Sequence, residues 1–218
     1  MSKPRYCFRL AEHLPVSDGA LVEPMAVALR AIRHANLVDG QKILVLGAGP
    51  IGLSCVYWAR HFNCEVATLA SSDRRKALAK SIGASQFVIG KNKDAEALLN
   101  ELGGAPDVVF ECTGAPGMIN LAVDLIKRHS TIVIPGWCTQ PDTFLPMTAM
   151  HKELRLQFTA LYNRDDFQYV VDTMAADKEA SYRRMITGTI PLEKLPTTFE
   201  ALRSPNDHVK VTVSPLAE

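Results

Sequence analysis

One stretch constrains this chain more than any other: Lys42-Ile43-Leu44-Val45-Leu46-Gly47-Ala48-Gly49-Pro50-Ile51-Gly52. A nearly continuous aliphatic run passes straight into Gly-x-Gly-x-x-Gly, and a mostly apolar helix pattern follows to about residue 61. A strand covered on both faces reads as an unbroken apolar run, as in a parallel sheet. Gly47 then suits a tight turn, Gly49 lets a pyrophosphate approach the backbone, and Gly52 lets helix and strand pack closely. Pro50 and Ile51 open the helix, whose N-terminus offers unpaired N–H groups and a positive dipole end to phosphates. A lone Gly-x-Gly-x-x-Gly is weak evidence, but between a buried strand and a helix it is strong. The alternative is a glycine-rich turn with no ligand.

A regular alternation follows. Residues 65–69, 86–89, 107–111, 131–134 and 154–159 read as strands, and 74–82, 94–102 and 118–127 as helices between them. Gly83 and Gly103-Gly104 stop two of those helices. Strands alternating with helices predict an α/β chain: a doubly wound, parallel six-stranded sheet with helices on both faces, the Rossmann fold. Its ligand crevice belongs at the carboxyl ends of the first and fourth strands, where the strand order reverses. The flanks differ. Residues 5–16 read as a short extended piece, with Tyr6, Phe8 and Leu10 alternating. Pro15 and Ser17-Asp18 announce a helix over 19–36, its first turns interrupted at Glu23-Pro24. Residues 164–176 and 191–202 read as further helices and 209–213 as a last strand, outside the alternation.

Composition excludes several classes. The 218 residues carry a net charge of +1, which makes no case for nucleic acid or an acidic membrane. The apolar runs are far shorter than a membrane span, and no signal-peptide core opens the chain. The five cysteines are widely spaced, without a Cys-x-x-Cys pair, and read as buried, reduced thiols of a cytoplasmic protein.

Several motifs now point one way. They are Ala20-Leu21-Val22-Glu23-Pro24-Met25-Ala26-Val27-Ala28, the glycine turn, Val109-Phe110-Glu111-Cys112-Thr113-Gly114, Thr131-Ile132-Val133-Ile134-Pro135-Gly136 and Ile186-Thr187-Gly188-Thr189-Ile190-Pro191-Leu192-Glu193. In this order the chain resembles the carboxyl-terminal part of medium-chain, zinc-dependent alcohol and polyol (sorbitol-type) dehydrogenases. Members of that family begin with a separate catalytic domain that supplies the zinc ligands, and no counterpart of it stands in this sequence. The resemblance therefore implies three parts: a remnant of a catalytic-domain strand at 1–16, a dinucleotide-binding domain at 17–181, and a tail at 182–218 that packs on the catalytic domain. It implies hydride transfer between a nicotinamide and a secondary alcohol in the complete enzyme, with zinc belonging to that enzyme only and this chain inactive alone.

The resemblance also assigns residues. A glutamate at the position of Glu23 approaches the zinc and its water in the polyol branch, so Glu23 is the one catalytic candidate; otherwise it is a solvated helix carboxylate. One carboxylate cannot hold zinc, which takes about four ligands, and no metal ligands are assigned. Thr113 and Gly114 after the fourth strand, and Pro135 and Gly136 after the fifth, fall where the nicotinamide half lies. Leu161 replaces an arginine that often contacts substrate in polyol dehydrogenases, and it stands before Tyr162. His129 and His151 read as surface histidines. The sixth strand pairs with its counterpart in a second subunit in this family, which implies a homodimer through 154–159; Lys152 and Arg155 would guard that edge in a monomer.

Cofactor choice rests on residues 65–75. An NAD-binding unit places an Asp or Glu about 20 residues past the glycines, on the ribose hydroxyls. Here that region holds Ala70, Ser71 and Ser72, none acidic, followed by Arg74 and Arg75. The grouping resembles the NADP-dependent polyol dehydrogenases, in which small residues and arginines accept the 2′-phosphate. A guanidinium can do so with two parallel hydrogen bonds. The expectation is NADP over NAD, with Arg75 as main partner, Arg74 as secondary, and Asp73 capping a helix that begins at Arg74. A stand-alone nucleotide-binding module or cofactor sensor is the alternative, as is a domain for another adenosine ligand. A coding segment for the catalytic domain immediately upstream would decide for the dehydrogenase.

Overall fold

A computed structural model describes residues 7–215. Its elements are α1 (Gly19–Ala35), β1 (Lys42–Leu46), α2 (Pro50–His61), β2 (Glu65–Ala70), α3 (Lys76–Ile82), β3 (Gln86–Ile89), α4 (Ala95–Leu102), β4 (Val108–Glu111), α5 (Met118–Leu125), β5 (Thr131–Ile134), α6 (Pro146–His151), β6 (Arg155–Phe158) and α7 (Arg164–Ala176). The tail adds β7 (Ile186–Pro191), α8 (Leu195–Ala201) and β8 (Lys210–Ser214). Six strands form one parallel sheet in the order β3-β2-β1-β4-β5-β6, as the alternation predicts. The tail strands β7 and β8 pair separately, in parallel.

The strands sort their side chains by parity. Ile43 and Val45 of β1 join Val66, Val108, Phe110 and Val133 in a core under α1, α2, α3 and α7. Leu44 and Leu46 join Leu69, Val88, Val109 and Ile132 in a second core under α4 and α5. Both sheet faces are thus apolar, which is why β1 shows no alternation in sequence. Burying each such aliphatic side chain stabilises by about 1.5–3 kcal/mol relative to exposure.

The same magnitude explains α1. Pro24 lies inside it, yet the helix runs unbroken to Ala35, so the expected interruption at Glu23-Pro24 does not occur. A helix-interior proline costs about 3 kcal/mol. Burial of Leu21, Met25, Leu29 and Ile32 along one face outweighs that cost, and the Trp58 indole N–H of α2 donates to the Met25 carbonyl at 2.8 Å.

Four other expectations are corrected. Residues 7–15 form no strand; Phe8 and Leu10 pack on the first core, while Tyr6 lies outside the described residues. The helix expected from Arg74 begins at Lys76, and Asp73 enters its first turn through its carbonyl, which accepts the Lys76 N–H at 2.8 Å, with no side-chain cap. The helix expected over 191–202 is β7 ending at Pro191, a 3-10 turn over Leu192–Lys194, and then α8. Of the cysteines, all free, only Cys55 and Cys64 are buried, while Cys7 and Cys138 are exposed. Helix α6 has no counterpart in the expected pattern.

Three polar ties close the frame. Asp18, at the entry to α1, is buried; it accepts the Tyr182 hydroxyl at 3.0 Å and the Arg183 Nε–H at 2.7 Å. This draws the start of the tail onto α1, and Tyr182 and Met185 are buried in the first core. Lys152 gives its three Nζ protons to the carbonyls of Val123, Asp124 and Ile126 at 2.8–2.9 Å, capping the end of α5. A cation suits that negative end of a helix. Arg155 donates to the His34 carbonyl at 2.6 Å.

Candidate functional site

Two clefts flank the glycine turn. The first, about 690 Å³, is lined by Gly47, Ala70, Ser71, Ser72, Arg74 and Arg75, with Thr113 at its inner end. The second, about 670 Å³, is lined by Glu23, Ile51, Thr113, Pro135 and Gly136. The structure therefore gathers most of the sequence-derived candidates into two neighbouring depressions. Gly49, Pro50, Gly52 and Gly114 line neither; they shape the turns between them.

The glycine turn is held from both sides. The Gly47 N–H donates to the Leu69 carbonyl at 2.8 Å, and the Cys112 N–H to the Leu46 carbonyl at 3.0 Å. Gly47 has φ +102°, which a side chain rarely adopts. A Cβ on Gly52 would lie 2.1 Å from the Gly47 carbonyl oxygen, so α2 can start this close to β1 only with glycine there. Gly49 caps α2, and a Cβ on it would meet nothing within 4 Å. Open space above a helix N-terminus is what a pyrophosphate needs, so these residues fit a dinucleotide.

Beyond the turn, Glu111 organises the floor. Its carboxylate is buried and accepts the Thr113 N–H at 2.7 Å, the Thr113 hydroxyl at 2.5 Å and the Gly114 N–H at 3.1 Å. Its carbonyl accepts the Gly136 N–H at 2.9 Å. One residue thus ties the turn after β4 to the turn after β5. Sequence reasoning missed it, although a charged residue closing the apolar run of β4 is a readable signal. Beside it, the Cys112 sulfur lies 3.8 Å from that of Cys55. That contact first, and burial second, push the Cys112 thiol well above the usual range.

The first cleft is cationic. Arg74, Arg75, Lys91 and Arg203 line it, and no Asp or Glu among the described residues shares that lining. Lys91 and the tail segment 202–206 had no place in the sequence expectation. Arg75 is anchored: Nη1 donates to the Ala48 carbonyl at 3.1 Å and Nη2 to the His208 carbonyl at 2.5 Å. Burial lowers its affinity for the proton, Asp207 opposes this, and Arg74 adds to it, but arginine stays charged. Arg74 is exposed beside it.

The second cleft has an apolar lip of Trp137, Phe158 and Leu161, all more than 60% exposed. Leu161 sits at φ +58°. Glu23 is exposed on α1 and faces this cleft. Among the described residues no three His, Cys, Asp or Glu come together as a metal set, so the donors present do not fit zinc. His129 and His151 are exposed, as expected. No helix among the described residues is long and apolar enough to cross a membrane.

Comparison with known proteins decides the family. Residues 50–176 match the family described as zinc-binding dehydrogenase. The chain belongs to that family. D-xylulose reductase A of Aspergillus oryzae is 29% identical over 206 residues, covering 91% of this chain and 57% of that protein. The crystal structure of 2R,3R-butanediol dehydrogenase from Bacillus subtilis superposes with a TM-score of 0.85 at 30% identity, covering 96% of this chain and 60% of that one. A putative zinc-binding dehydrogenase from Sinorhizobium meliloti 1021, bound to NADP, gives 0.84 at 26% identity, covering 95% and 62%. The chain thus spans roughly three-fifths of the length of these relatives.

Proposed function

We propose that this chain is the NADP(H)-binding part of a zinc-dependent alcohol or polyol dehydrogenase. The observation that carries the reading is the wall of the first cleft. Ser71, Ser72, Arg74 and Arg75 stand there, and Ala70 takes the place where an NAD unit keeps its carboxylate. A carboxylate would repel a 2′-phosphate, whereas hydroxyls and guanidinium groups bind it. The NADP bound to the Sinorhizobium relative supports the same choice.

In this reading the adenosine lies in the first cleft, the pyrophosphate over Gly49 at the start of α2, and the nicotinamide in the second cleft against Thr113, Pro135 and Gly136. The cofactor supplies the hydride chemistry; the chain orients it and walls one side from water. Glu23 faces the reacting end. The kinds of relative, a xylulose reductase and a butanediol dehydrogenase, favour a secondary alcohol or polyol as substrate of the complete enzyme. The donors present do not fit zinc, and this chain by itself is expected to be inert. Residues 17–181 form the cofactor unit in this scheme, and 182–218 the part that meets the remainder of a complete enzyme.

We also infer a cytoplasmic homodimer through β6. That strand ends the sheet, and Phe158 on it is 61% exposed. Lys152 and Arg155, which would guard the edge, are both engaged by backbone carbonyls instead. Titration of the purified chain with NADPH and NADH tests the main reading. Tighter NADPH binding is expected, and tighter NADH binding overturns it.

A further inference from the structure

The wall of the first cleft that faces the turn after β2 comes from the far end of the chain. Residues 202–206, between α8 and β8, supply it. This loop organises itself. The Asn206 amide donates to the Leu202 and Ser204 carbonyls at 3.3 and 2.7 Å, and its oxygen accepts the His208 N–H at 2.9 Å. Arg75 then fixes the loop to the glycine turn, through the His208 carbonyl on one side and the Ala48 carbonyl on the other. Each Nη of Arg75 thus gives one N–H to a backbone oxygen, which leaves three of its five N–H groups for other acceptors.

Arg203 stands on this self-bonded loop and lines the same cleft as Ser71, Ser72 and Arg74. Its partner is Glu200 in the last turn of α8, 3.3 Å away, with the arginine side chain 73% accessible. Such exposed pairs are worth about 0–1 kcal/mol, so Glu200 does not compete with a phosphate dianion, to which a guanidinium can offer two parallel N–H groups.

Resting on the NADP reading above, we propose that Arg203 is a specificity-determining residue that reads the 2′-phosphate from the tail side while Arg74 reads it from the strand side. Arg75 acts as a positioning residue that holds the two segments at a fixed separation as well as lending its charge. Selectivity for the phosphorylated dinucleotide is then shared between the sheet and the tail.

The test compares adenosine 2′,5′-bisphosphate with ADP, binding each by calorimetry to the chain, to Arg203→Ala and to Arg203→Lys. The unsubstituted chain is expected to favour the 2′-phosphate compound. Arg203→Ala is expected to reduce that preference about tenfold, the size of one charge-assisted contact, with ADP affinity unchanged, and Arg203→Lys to keep part of it. An unchanged preference in Arg203→Ala overturns the role of Arg203 and leaves the NADP reading standing. An equal loss for both ligands assigns Arg203 to loop structure and likewise overturns the proposal. No preference in the unsubstituted chain overturns both the NADP reading and this inference.

Discussion

The Glu111 carboxylate accepts the backbone N–H and the hydroxyl of Thr113 together, at 2.7 and 2.5 Å, from a position 2% exposed. Glu111→Gln can keep an acceptor oxygen at the Oε1 position but removes its charge, and it sets an NH2 group where Oε2 meets the Gly114 N–H at 3.4 Å. Hydrogen bonds to a charged group contribute about 1.5–3 kcal/mol, and we expect a loss of that order in urea unfolding. Because the turn touches both clefts, NADPH and NADH should weaken by similar factors. Gly136→Ala should act in the same direction, since its Cβ would lie 2.3 Å from Glu111 Oε2.

The two arginines after β2 should separate. Arg74 is exposed and free of the carbonyl contacts that hold Arg75. Arg74→Ala is expected to weaken NADPH about tenfold and leave NADH unchanged. Arg75→Ala is expected to weaken NADPH about ten- to a hundredfold, because its charge and the tie that positions the tail are lost together. It should also cost NADH a few-fold, because the tail loses its tie. Fluorescence titration of both cofactors against both variants measures the split.

Phe158 at the sheet edge gives a test of assembly. The chain is expected to scatter light with a dimeric mass, and Phe158→Glu to scatter as a monomer while keeping its far-UV dichroism. An unpaired strand edge carrying an exposed aromatic invites pairing, and a charge there blocks it. A monomeric mass for the unsubstituted chain at high concentration would count against the dimer.

Stability should fall in alkali through Tyr182. Burial first, then its hydrogen bond to Asp18, pushes this phenol from 10.0 up to about 12. A raised value in the folded state keeps the neutral form, so the contribution is complete below pH 10. It is lost as pH rises through about 12, where the folded chain must also deprotonate. Urea midpoints measured from pH 9 upward should decline, and Tyr182→Phe should flatten the part due to this residue.

The sheet was legible because its strands are buried on both faces, and such runs are unbroken in sequence. The glycine turn was legible because its spacing has a backbone cause. The elements that escaped lacked such a cause. Helix α6 spans six residues, too few for a period to show. Strand β7 carries Gly188 and threonines on a half-exposed two-stranded sheet, and Pro191, which ends it, imitates a helix start. Asp73 imitates a side-chain cap but serves through its carbonyl. The anchoring of Arg75 at His208 was out of reach of any local pattern, since 133 residues separate the two.

Thr113 lines both clefts. A dinucleotide stretched between them must cross this one side chain, whose hydroxyl donates to Glu111 and accepts the Ala115 N–H at 3.1 Å. Whatever occupies one depression therefore bears on a residue that also walls the other. Two halves of the cofactor, supplied as separate molecules, should each raise the affinity of the other by the same factor, because such coupling is reciprocal.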